Sequence, residues 1–161
     1  MTTRPATPDD AAVIMELVMA LAAFEDLTHE VTGTVAQLRD HLGGDRPLIE
    51  GLLAEVDGHV AGYALFFSTY STFRTQPGLY LEDVFVRPEF RRQGIATALI
   101  RQIGAIARDR NCARFEWAVL DWNERAIAVY EKLGATILPN WRTCRVEGDR
   151  LVKLAATTTP A

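Results

Sequence analysis

Apolar residues fall into two periods along this chain, and the switches between them mark its elements. Val13, Ile14, Leu17, Val18 and Leu21 recur every three or four positions, which puts them on one helix face. Thr7-Pro8-Asp9-Asp10 opens that helix with a capping residue, a proline at the first helical position and acids in the first turn, and the pattern runs to Phe24. A short strand over Thr3–Pro5 precedes it. A second helix is expected over Val35–Leu42, stopped by Gly43-Gly44. Leu52–Val56 and Val60–Phe67 read as strands joined by Asp57-Gly58, a strong hairpin signal. Leu79–Val86 is a further strand, closed by Pro88. Gly94–Arg110 is helical, with Ile95, Leu99, Ile103 and Ile106 on one stripe, and Arg114–Leu120 is a strand. Asn123 caps a helix through Leu133, with Gly134 where a terminating glycine belongs. Weaker strands are expected near Thr136–Leu138, Arg142–Glu147 and Leu151–Leu154. The order β-α-α-β-β-β-α-β-α-β predicts one α/β domain, a mixed sheet packed by helices. Helices after Val86 and Leu120 imply some parallel pairing.

Composition narrows the class. The 161 residues suit a single core, and 48% hydrophobic with 24% charged residues is ordinary for a globular chain. The formal charge of −4 disfavours a nucleic-acid binder. Cys112 and Cys144 are too few and too far apart for a disulfide framework or zinc knuckle, and read as buried thiols in a reducing compartment. The Met1-Thr2-Thr3-Arg4-Pro5 start has no apolar secretion core, and no apolar run approaches the roughly 18 residues needed to span a bilayer. A cytoplasmic location, with no membrane partner, is the expectation. His29, His41 and His59 lack metal-ligand spacing, so no metal is expected.

Candidate chemistry concentrates in Arg91-Arg92-Gln93-Gly94-Ile95-Ala96-Thr97, between the Leu79–Val86 strand and the next helix. The first N–H groups of a helix have no internal acceptor and lie at the positive end of its dipole, so this turn is an anion site. Gly94 and the small Ala96 let a phosphate approach the backbone, and Arg91 and Arg92 add charge beside it. The spacing matches neither G-x-x-x-x-G-K-[ST] nor G-x-G-x-x-G, so a nucleotide triphosphatase or dinucleotide enzyme is not indicated.

The element order, with Arg-Arg-x-Gly-x-Ala after the central strand, resembles the general N-acetyltransferase (GNAT) superfamily over essentially the whole chain. Leu81-Glu82-Asp83-Val84-Phe85-Val86, Trp122-Asn123-Glu124 and Ala128-Val129-Tyr130-Glu131-Lys132-Leu133-Gly134-Ala135 look like its diamine (spermidine/spermine) N-acetyltransferase branch. The resemblance implies a largely antiparallel sheet with a central splayed parallel strand pair, and acetyl-CoA as donor. The pyrophosphate would lie on the backbone N–H groups of Arg92, Gln93, Gly94, Ile95, Ala96 and Thr97, with the charge of Arg91 beside it. The pantetheine arm would pair like an added strand with Val84, Phe85 and Val86, and Asn123, Ala126 and Tyr130 would touch it from the other side.

Acetyl transfer to an amine needs a neutral nucleophile, an oxyanion donor and an acid for the leaving thiolate. No Ser-His-Asp or Cys-His constellation is evident, so direct attack is favoured over a covalent acyl-enzyme. By family position Tyr130, one turn beyond Ala126, is the candidate acid. Glu82 is the candidate base, or the carboxylate ordering a water that takes the proton. An acid within Tyr80-Leu81-Glu82-Asp83-Val84-Phe85 needs a reason, and strand alternation puts Glu82 and Asp83 on opposite faces. The oxyanion donor would be a backbone N–H near Phe85.

The acceptor site should be acidic and aromatic. Family positions map to Phe24, Glu25, Glu82, Asp83, Glu116, Trp117 and Trp141; Glu25, Asp26 and Glu30 cluster in one turn. Two departures from the branch stand out: Ser71-Thr72-Phe73 follows Tyr70 without an acid, and the segment before Trp141 shortens to Leu138-Pro139-Asn140. They make a shorter amine, such as a diamine or a lysine-like amino acid with a thioether, at least as fitting as a polyamine. A protein or peptide acceptor and a non-catalytic acyl-CoA sensor are the competing readings. The branch commonly forms homodimers, so a homodimer is expected.

Overall fold

The computed structural model describes residues 1–156. Five strands form one sheet in sequence order: β1 (Thr2–Pro5), β2 (Glu50–Val56), β3 (His59–Ser71), β4 (Gln76–Val86) and β5 (Phe115–Trp117). The first four pair antiparallel, and β5 joins β4 in parallel. The helices of this part are α1 (Ala11–Phe24), α2 (Val35–Leu42) and α3 (Ile95–Asp109). The mixed α/β sheet with one parallel pair is the expected fold class.

Local chemistry explains the boundaries. Asp57 and Gly58 adopt φ 50° and 80°, the doubly left-handed turn that suits a two-residue hairpin, and Val56 pairs directly with His59. Asp26 at φ 61° ends α1, where the Leu27 N–H reaches Ala22 O at 2.8 Å. Ahead of α1, Pro8–Asp10 form a turn of tighter helix. Asp10 accepts both outer Arg4 nitrogens at 2.8 Å and the Thr7 N–H at 2.7 Å, while Arg4 Nε reaches Glu55 at 2.8 Å. That ties the start of α1 to the sheet edge.

Both sheet faces are buried. Tyr63 and Leu65 of β3 pack with Leu53, Phe85, Ile14 and Leu17 in one cluster on the α1 side. Ala64 and Phe66 alternate to the other face and are also buried, as are Leu99 and Ile103 of α3, which packs on β2, β3 and β4. A parallel pair in the sheet requires cover on both sides of this kind.

The chain divides into two compact units, Met1–Glu124 and a second beginning at Arg125. In the second, α4 (Glu124–Lys132, begun in the first unit) ends at Gly134, φ 92°, where the Ala135 N–H returns to Tyr130 O at 3.0 Å. Here the sequence reading needs correcting. Thr136–Leu138 and Arg142–Glu147 form no strand, and Leu151–Leu154 lies inside a helix, α5 (Asp149–Ala156). Leu151, Leu154 and Ala155 have helical spacing, with Asp149 in the first turn and Lys153 in the last; a run this short satisfies both periods. β5 is also shorter than the expected Arg114–Leu120, because its partner strand changes course after Leu81. Cys112 is half-buried, and Cys144 is exposed rather than buried.

Candidate active site

The site is built on the second half of β4. Its register against β3 runs Ala64↔Val84 and Leu65↔Asp83, then skips to Phe66↔Leu81. Glu82 is therefore the extra residue of a β-bulge. Directly paired residues share a face, so Leu81 follows Phe66 while Asp83 and Phe85 follow Leu65 and Tyr63 onto the α1 side. Plain alternation, which puts Leu81 and Asp83 on one face, does not hold across this point; Glu82 is exposed and Asp83 half-buried. Pairing with β5 also stops here, at Leu81↔Trp117. Among the described residues, Asp83 to Val86 pair with β3 alone, and their other edge has no partner strand. Gly62 is required opposite: a Cβ there would stand 2.5 Å from Phe85 O.

Beyond β4 the chain enters the expected anion nest. Arg92 and Gly94 take φ 64° and 79°, and Gly94 caps α3. The Ala98 N–H is bonded to Gly94 O at 2.9 Å; those ahead of it face outward, as a first helical turn dictates. Nothing stands within 4 Å of where a Gly94 Cβ would project. Arg92, Gln93 and Gly94 are exposed, Ala96 and Thr97 half-buried, and Ile95 anchors the turn in the core. An open glycine, outward N–H groups and a free cationic side chain suit a pyrophosphate.

The two arginines divide their labour. Arg92 is exposed, whereas Arg91 turns inward. Its Nε donates to Val86 O at 3.0 Å, and its guanidinium lies 5.0 Å from the Phe24 ring and 5.4 Å from the Phe85 ring. Phe24 in turn meets Trp122 at 5.9 Å. One guanidinium thus joins the end of α1, the end of β4 and the nest.

Acidic groups gather beside this stack. Asp83 Oδ2 accepts the Tyr63 hydroxyl at 3.2 Å. Burial and the charges of Glu82 and Glu25 push the Asp83 carboxyl up to about 6, against the opposing effect of the Tyr63 hydrogen bond. Burial also raises Glu25, which caps the end of α1, and burial beside Asp83 drives the Tyr63 phenol far up. Glu82 is exposed. A carboxyl near neutrality in a partly buried setting is matched to accepting a proton or an ammonium.

Other expected residues lie as follows. Val84 is half-buried and Val86 buried. Glu116 is paired with Arg114 Nε at 2.7 Å, and the Trp117 ring lies 4.9 Å from that of Phe115 on β5, tilted 55° to it. The Asn123 N–H bonds Leu120 O at 2.9 Å, where α4 begins. Ala126, Tyr130 and Trp141 belong to the second unit; Ala126 and Tyr130 stand one turn apart on α4, and Trp141 is exposed. The sequence reading missed Tyr63 altogether and used Trp122 only as a motif letter. Among the described residues no helix is long and apolar enough to cross a membrane, and no cluster suited to a metal ion is found.

Known proteins match this arrangement. The sequence profile of the "Acetyltransferase (GNAT) family" aligns with residues 17–135. A thialysine N-epsilon-acetyltransferase of Mus musculus is 37% identical, covering 94% of this chain and 95% of its own. The enzyme of the same name from Caenorhabditis elegans is also 37% identical, covering 92% and 93%. Among solved structures, an integron cassette protein from the mobile metagenome of V. cholerae superposes with a TM-score of 0.80 at 20% identity, over 97% of this chain and 98% of that one.

Proposed function

The chain belongs to the acetyltransferase (GNAT) family, and from that premise we propose that it acetylates the terminal primary amine of a small lysine-like amino acid with a thioether. Acetyl-CoA is the acetyl donor. The observation that carries the reading is the coincidence at Glu82: the bulge, the end of β5 pairing and the turn of Asp83 toward Tyr63 fall within one residue of each other.

When bound, acetyl-CoA supplies the thioester. The residues that fit it are those of the nest, Arg91 to Thr97, with its pantetheine arm along the open edge of Val84, Phe85 and Val86 and with Asn123 and Ala126 also in contact. The same open edge leaves the N–H near Phe85 to stabilise the developing oxyanion. Phe24, Glu25, Asp83, Glu116, Trp117 and Trp141 are the proposed acceptor contacts. Glu82, exposed on the bulge, takes the ammonium proton directly or through water, and Asp83 holds the ammonium. Tyr130 protonates the leaving thiolate. The absent acid after Tyr70 and the short segment before Trp141 support an acceptor shorter than a polyamine. The proposal treats the whole chain as one acetyltransferase domain, acting in the cytoplasm as a homodimer.

The test is thiol release from acetyl-CoA with thialysine, lysine, putrescine, spermidine and a histone-like peptide. Thialysine is expected to give the highest kcat/KM. A preference for the peptide, or acetyl-CoA binding without turnover of any amine, overturns the reading.

A further inference from the structure

We propose that Tyr63 is a positioning residue of this enzyme, whose buried hydroxyl holds the Asp83 carboxylate in its working charge state and orientation at the acceptor site. This rests on the acetyl-transfer reading above for its functional meaning, though not for its structural test.

Tyr63 is wholly buried, among Ile14, Leu17, Leu53, Leu65 and Phe85. Phenylalanine would fill that apolar environment equally well, so the hydroxyl needs its own explanation. It has a partner in Asp83 Oδ2 at 3.2 Å. The contact is set by the register just past the bulge. Tyr63 pairs with Phe85, and Asp83 lies two residues from Phe85 on the same face, within diagonal reach. The extra residue at Glu82 lets Leu81 face the opposite side with Phe66 while Asp83 and Phe85 keep the face of Tyr63 and Leu65.

The surroundings of Asp83 leave the hydroxyl with no helper. Facing it are Tyr63 from β3, Glu25 from the end of α1 and Glu82 from its own strand. Two of these three are acids. Among the described residues no arginine, lysine or histidine pairs with Asp83; the nearby Arg91 is committed to Val86 O and two rings. The carboxylate is thus half-buried, repelled by two like charges and supported by one neutral donor. A substrate ammonium would be its first cationic partner. Until that partner arrives, Tyr63 is what favours the ionised form. Removal of the hydroxyl therefore raises the pH at which Asp83 ionises, and the acidic limb of acetyl transfer moves up with it.

The experiment compares wild type with Tyr63→Phe, with Asp83→Asn to assign the Asp83 signal. The first readout needs no substrate: carbon-13 carboxyl NMR follows the Asp83 titration. Its midpoint is expected to rise by about one pH unit in Tyr63→Phe. The second is kcat/KM for thialysine against pH. Its acidic limb is expected to move up by the same amount, with the rate recovering to within about twofold of wild type at high pH and KM for acetyl-CoA unchanged. An unchanged midpoint, or a loss of rate equal at every pH, overturns the proposal. Should Tyr63→Phe fail to fold, the Tyr63 ring carbon bearing the hydroxyl is followed in wild type. Its resonance is expected to shift at the Asp83 midpoint, and a flat trace overturns the coupling. Should wild type acetylate none of the amines, the substrate reading falls while both NMR titrations still decide the role of Tyr63.

Discussion

Gly62→Ala is the substitution that best tests whether the end of β4 is a machined part of the site. A Cβ at this position stands 2.5 Å from Phe85 O, 3.1 Å from Val86 Cγ2 and 3.2 Å from Val86 Cα. Ordinary contact for a carbon is about 3.5 Å, so β4 would have to retreat by about 1 Å. The obstruction is backbone, and Gly62↔Val86 and Tyr63↔Phe85 are directly paired, so the strand cannot yield freely. Overpacking of this kind costs about 1–3 kcal/mol. For a chain of this length that lowers Tm by roughly 2–12 °C. The displaced residues are those proposed to align the acetyl group, and a 1 Å misplacement costs up to about 10²-fold in rate. Calorimetric melting and thiol release at saturating acetyl-CoA measure the two effects. A variant that melts as wild type and keeps kcat within about twofold would refute the reasoning.

Three further outcomes are expected. Tyr130→Phe lowers kcat by about 10²–10⁴-fold with little change in acetyl-CoA binding, and unchanged turnover removes Tyr130 from the acid role. Gly94→Ala meets no atom but must hold φ 79°, so it raises KM for acetyl-CoA by about tenfold while kcat at saturation stays within about threefold; direct binding calorimetry checks this. Asp10 is held well below the usual carboxylate range by its Arg4 hydrogen bonds. Its contribution is therefore fully present above the unfolded value, near 4, and is lost progressively as pH falls from there toward the depressed folded value. Asp10→Asn is expected to cost about 1–2 kcal/mol at neutral pH, the half-exposed Arg4 limiting the effect, and to flatten the acid limb of urea stability between about pH 4 and 2.

Much of this molecule is legible in its sequence, for reasons that also mark the limit. α1 and α3 are long enough for period to be unambiguous, and the Asp57-Gly58 turn and the Gly134 stop each rest on one local backbone demand. The nest reads as strand, glycine and helix, because anion binding there is a backbone property. Three things depend on register and are invisible locally. The bulge at Glu82 looks like ordinary strand, since nothing in Leu-Glu-Asp-Val-Phe reveals a skipped partner. The Tyr63–Asp83 hydrogen bond joins residues on different strands. The inward turn of Arg91 depends on Phe24 from α1. Past Gly134 the apolar runs are too short for either period to win, so the residues of α5 fit a strand as well as a helix.

The phase slip at Glu82 has a consequence for how β4 tolerates change. Ahead of it, Leu79 and Leu81 are fully or almost fully buried, and substitutions there report on folding. Behind it, Asp83 answers to Tyr63, Glu25 and Glu82, and substitutions at Asp83 are expected to report on the proposed chemistry more than on the core. One inserted residue thus uncouples the two selective pressures on a single strand. Deleting Glu82 would close the slip into a regular ladder, with Leu81 still opposite Phe66 and Asp83 still opposite Leu65, so both faces would stay as they are and only the exposed carboxylate at the kink would be lost.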